Sequence, residues 1–114
     1  MEQFMKTMTF LEKFELGERI KSVKNKEVHE LFNGARRRII EIKLRENAVL
    51  TKHRAPERIS VLCLSGRGVF RAGENLEEKL TLSAGVLLTL ETGIAHEVAA
   101  EPEIHILVTR FKDI

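Results

Sequence analysis

Tryptophan and tyrosine are absent, and six phenylalanines are the whole aromatic complement of 114 residues. Without a series of aromatic faces there is no platform on which bases could stack. Charge argues against nucleic acid as well. Nineteen basic and 17 acidic residues leave a net charge of +2, too balanced for a phosphate-tracking surface. The one basic cluster, Arg36-Arg37-Arg38, alternates between faces if it lies on a strand and so makes no continuous stripe. Cys63 is the only cysteine, which excludes an internal disulfide. Set within Ile59 to Leu64, it reads as a buried, inert hydrophobe. Long apolar runs are missing too: Val86 to Leu90 is strand length and carries Thr89, so no membrane-spanning helix is expected. Met1 to Phe14 intersperses Glu2, Lys6, Glu12 and Lys13 among its apolar residues. That is not the pattern of a signal peptide, and a cytoplasmic protein is expected.

What is present has the balance of a globular domain, 43% hydrophobic and 32% charged. The length suits one core and not two. We read residues 1–26 as an amino-terminal arm or helix with an edge segment, and residues 27–114 as a single β-barrel. Phe4, Met8 and Leu11 recur near helical spacing, with Phe14 a turn beyond. This predicts a short amphipathic helix or arm that packs on the domain. Glu18 to Lys26 is polar and reads as loop or irregular edge.

From Val28 onward the period is two. Val28 to Phe32 is a strand closed by Asn33-Gly34, a strong hairpin signal. Ala35 to Arg45 follows, with Ile40, Ile42 and Leu44 on one face and Glu41, Lys43 and Arg45 on the other. Ile59 to Ser65 is a nearly continuous apolar strand, ended by a turn at Gly66-Arg67-Gly68. Val69 to Arg71, Lys79 to Leu82, Val86 to Leu90 and Ala95 to Ala100 follow. A three-residue turn at Glu101 to Glu103 is expected to fold the last strand, Ile104 to Phe111, back onto its predecessor. About eight or nine short strands separated by regular turns indicate an all-β barrel or sandwich.

Two stretches of this pattern carry histidines. One runs from His53-Arg54-Ala55-Pro56-Glu57-Arg58-Ile59 to Gly66, the other from Gly85 through Glu91-Thr92-Gly93 to His96 and Ala100. Together they resemble the two signature motifs of the cupins, over about residues 35–111. The resemblance implies a small single-domain cupin, an RmlC-like jelly roll. In cupins two histidines and a glutamate of the first motif, with the histidine of the second, hold one divalent metal. Counting back from Gly66 places Ile59 at the glutamate position, Ala55 at the second histidine and His53 at the first. In the second motif Gly85, Gly93 and His96 match, whereas Glu91 replaces a proline and Ala100 an asparagine. Two ligands of four carry over, His53 and His96.

Period two makes Ala55, Ile59, Val61 and Cys63 inward if His53 is inward, and Val98 inward with His96. The expected site is an apolar barrel with two imidazoles near its mouth, binding a small molecule. Glu57 and Arg58 are candidate contributors, as is Arg54. The alternative is a metal-dependent cupin enzyme, of dioxygenase or isomerase type. It would use zinc, iron, nickel or manganese, with His53, His96 and Glu57 or Glu91 as ligands. A sensory module acting through protein contacts is a further reading. His105 has outward parity and is expected at a surface or interface, and His29 is ordinary. Leu62 and Leu64 face away from the barrel, and a strand apolar on both faces needs cover on both. The amino-terminal arm or a second copy would supply it, and a homodimer is expected.

Overall fold

The computed structural model describes residues 11–16 and 24–112. The Asn33-Gly34 signal forms the hairpin expected of it. Strand β1 (Lys26–Asn33) pairs antiparallel with β2 (Arg37–Leu44), with a bulge between Glu30 and Phe32. The chain then makes β3 (Val49–His53), β4 (Arg58–Ala72), β5 (Glu78–Ser83), β6 (Leu87–Leu90) and β7 (His96–Phe111). Among the described residues there is no helix, and so none long and apolar enough to cross a membrane. The expected amino-terminal helix or arm lies largely outside the described residues. Residues 11–16 are neither helix nor strand, and Phe14 packs on Phe32 with ring centroids 6.2 Å apart.

Two long strands organise the barrel. The first half of β4 pairs with β6 and with the second half of β7, which in turn pairs with β2. The second half of β4 pairs with β5 and with the first half of β7, which in turn pairs with β3. Each long strand therefore passes from one sheet to the facing sheet. This corrects two expectations. Gly66-Arg67-Gly68 is not a turn between strands but a bend within β4. Glu101 to Glu103 is not a hairpin turn but the matching bend within β7.

Backbone chemistry accounts for both. Pro102 has no N–H to give to a ladder, and the β4–β7 register shifts between Gly66 and Gly68. At Gly66, where φ is +82°, an added Cβ would collide with the Glu103 carbonyl. At Gly68 it would sit 2.6 Å from the Ala99 oxygen. Only glycine allows β7 to cross this closely.

The inner faces follow the alternation read from the sequence. Ile40, Ile42 and Leu44 of β2, Ile59, Val61 and Cys63 of β4, and Ile104 and Ile106 of β7 are all buried in one apolar cluster. Leu44 and Leu82 are completely excluded from solvent. Burial also raises the Cys63 thiol pKa, against a weaker opposing hydrogen bond to the Ser65 carbonyl. The thiol stays protonated and unreactive. On the outer face, Leu62, Leu64 and Leu107 are half-buried, while Leu87 is 64% exposed.

Candidate functional site

The bends at Gly66 and Pro102 close one end of the barrel, and the two ends of β7 meet at the other. There His96, its first residue, is the Cα partner of His53, the last residue of β3. The rings stand 4.2 Å apart in an edge-on arrangement, and Phe70 stacks on the inner imidazole at 5.6 Å. Nδ1 of His53 lies 2.7 Å from the Thr51 carbonyl, and Nδ1 of His96 lies 3.0 Å from that of Ile94. A carbonyl only accepts, so each Nδ1 carries a proton, and the neutral form of such a ring keeps its lone pair at Nε2.

The two histidines differ in setting. His53 is exposed, whereas His96 is 4% exposed. Burial pushes the His96 pKa below its ordinary value. The Ile94 hydrogen bond opposes this, and the charges of His53 and Arg110 reinforce it. At neutral pH His96 is an uncharged, oriented imidazole.

Both imidazoles border a cavity of about 250 Å³ inside the barrel. Eleven of its fifteen lining residues are apolar, among them Ile42, Ile59, Val61, Phe70 and Ile106. Ala55 and Ile59, the positions at which the resemblance implies a histidine and a glutamate, are 5% and 4% exposed and face this space. Where the resemblance implies two ligands, the cavity wall carries only carbon. The remaining polar lining comes from Arg38 and Arg110, which are Cα partners across β2 and β7.

Neither arginine belongs to a motif, although alternation along each strand points to both. Arg38 continues the Leu44-Ile42-Ile40 parity by one step, and Arg110 continues Ile104-Ile106-Val108 by one step. Within this basic lining the structure brings His53 and His96 together and leaves the other candidates outside. Glu57 Oε1 lies 3.3 Å from Arg110 Nε, beside the cavity rather than in its wall. Arg58 Nε bonds Glu91 Oε1 at 3.0 Å at the exposed surface. Arg58 has the opposite parity to Ile59 and so points away from the cavity. Arg54 is drawn to the Gly93 carbonyl at 2.9 Å and to Glu74. His105 faces outward, as its parity requires, and its Nε2 stands 2.6 Å from the buried carboxylate of Glu41. His29 is exposed on β1.

The metal centre implied by the resemblance finds too few donors. Among the described residues no three His, Cys, Asp or Glu side chains are grouped to hold an ion. Catalytic divalent sites use three protein ligands, and two imidazoles are one short. Glu57 is drawn to Arg110 and Glu91 to Arg58, so neither carboxylate completes the set. A second depression, of about 600 Å³, is bordered by Leu16, Arg45, Ser65, Glu103 and His105. Leu16 leads directly into residues outside the described part, and we place no site there.

Two facing sheets that share β4 and β7, closed around an apolar cavity with a basic mouth, define a small jelly-roll barrel. No family model and no curated protein matches the chain. Solved structures match it in fold. A cupin superfamily protein from Desulfitobacterium hafniense is 17% identical with a TM-score of 0.74, covering 82% of this chain and 84% of its own. An RmlC-like cupin family protein with a double-stranded β-helix fold, from Methanocaldococcus jannaschii, is 14% identical with a TM-score of 0.75, covering 90% and 92%. An RmlC-like cupin from Desulfovibrio desulfuricans is 18% identical with a TM-score of 0.75, covering 87% and 94%. The chain has the cupin fold.

Proposed function

We propose that the protein binds a small molecule inside the barrel, held at the mouth by His53 and His96. One observation carries this reading: an apolar cavity of about 250 Å³ meets converging polar side chains at one end only. That is the design of a ligand pocket, apolar for affinity with a few fixed polar groups for orientation. The backbone bonds at both Nδ1 atoms supply the fixing, because they hold each Nε2 lone pair ready for a ligand donor. A cavity of about 150 Å³ holds one benzene ring, so this one has room for about ten non-hydrogen atoms.

The competing reading is a zinc, iron, nickel or manganese enzyme. Measuring metal per chain in untagged protein, and in the His53→Ala/His96→Ala variant, separates the two. We expect substoichiometric metal after supplementation with each ion, while small-molecule binding persists. Stoichiometric metal that disappears in the variant would overturn the proposal.

A homodimer is part of the same proposal. It is supported by the outward apolar row of Leu62, Leu64, Leu87 and Leu107 on adjacent strands.

A further inference from the structure

The charged part of the cavity lining has one sign. Arg38 and Arg110 supply it beside the imidazoles of His53 and His96, and no acidic residue lines the cavity. Resting on the proposed binding role, we propose that the barrel selects a small monocarboxylate with an apolar body, its carboxylate held between Arg38 and Arg110.

Like charges directly opposite each other on a sheet repel, yet these two arginines are Cα partners at inward positions. Each is held from beside the cavity by one carboxylate, and each through Nε. Arg38 Nε bonds Glu30 at 3.1 Å, and Arg110 Nε stands 3.3 Å from Glu57. Neither glutamate lines the cavity. Among the described residues the terminal Nη groups of both guanidiniums have no hydrogen-bond partner. Those groups form the fork that grips a carboxylate.

The charge count favours a monoanion. Two guanidiniums facing two carboxylates leave the mouth balanced until a ligand arrives, which suits one negative charge better than the two of a phosphate. The uncharged imidazole of His96 separates the roles further. Its Nε2 lone pair repels a carboxylate and accepts from a hydroxyl, so the anionic end sits with the arginines. The body of the ligand then lies against Ile59, Val61 and Ile106.

The test uses hexanoate and hexanamide, which match in shape and differ in charge, titrated into the wild-type protein by calorimetry. Inorganic phosphate serves as a third probe. Hexanoate should bind at least about ten-fold more tightly than hexanamide, and phosphate should not bind. Arg38→Gln and Arg110→Lys should each bring the acid-to-amide ratio toward one. Arg58→Gln, outside the cavity, should leave that ratio unchanged. Circular dichroism confirms that each variant is folded, and the half-exposed Arg38 gives a test independent of the Arg110–Glu57 pair. Equal binding of acid and amide overturns the carboxylate assignment while the barrel stands as a binding site. Tight phosphate binding overturns it in favour of a different anion. Binding of neither organic probe overturns both the assignment and the reading beneath it.

Discussion

Ala55→Leu separates a ligand site from a space left by imperfect packing. Ala55 is 5% exposed and faces the cavity. Leucine adds three carbon atoms, which at about 25 Å³ each remove roughly 75 Å³. Close to a third of the 250 Å³ cavity would be filled. A ligand matched to the original space would lose contact for about three methylene-sized groups. At about 0.8 kcal/mol each this is about 2.4 kcal/mol, or roughly 50-fold in Kd. The free protein should lose no stability, because the new side chain enters empty apolar space. Calorimetry with the best-bound small molecule and urea unfolding of the free protein measure the two effects. Unchanged affinity would place the ligand outside the barrel. A loss of 1–3 kcal/mol in stability, as overpacking of a tight core costs about that much, would show that the space is not there to fill.

Other consequences are open to simple measurements. His96 should titrate below the usual histidine value of about 6.5 by NMR, since burial disfavours its charged form. Between its folded pKa and about 6.5 the unfolded chain binds more protons, so His96 makes stability fall as pH drops through that window. Urea midpoints at pH 5 and 7 should therefore differ less in His96→Gln than in wild type, and an equal or larger difference would contradict the assignment. Gly68→Ala places a Cβ 2.6 Å from the Ala99 oxygen and 3.1 Å from Ile104 Cδ1. It should cost about 1–3 kcal/mol in denaturant unfolding, and no loss would mean that β4 and β7 do not cross so closely. Leu87→Glu puts a charge on the exposed apolar row. Light scattering should show a dimeric mass in wild type and a monomeric one in the variant, and a monomeric wild type would end the dimer proposal.

How much of this was legible depended on the kind of information. Alternation carried the inner faces: Ile40-Ile42-Leu44 and Ile104-Ile106-Val108 point inward as their spacing requires. The count back from Gly66 placed Ala55 and Ile59 in the cavity wall. Strand continuity was not legible, because glycine and proline mark a bend in a long strand as readily as a turn between short ones. Gly66, Gly68 and Pro102 thus have the signature of chain reversals but lie at bends within β4 and β7. The motif's two histidines, His53 and His96, border the cavity, whereas their neighbours in sequence do not. Glu57 and Arg58 adjoin the motif and lie outside the cavity. Arg38 and Arg110 are far from it in sequence and line the mouth, because β2 and β7 pair there. That pairing is tertiary information, although extending each apolar face by one step would have pointed to both.

The proposed ligand enters the barrel between the histidines and the arginines, and methyl-resolved NMR during a hexanoate titration follows that entry residue by residue. We expect the signals of Ile42, Ile59 and Ile106, which line the cavity, to shift together and saturate, while those of Leu87 and Leu107 stay in place. Shifts confined to Leu87 and Leu107, or no saturable shift in the interior isoleucines, would contradict the claim.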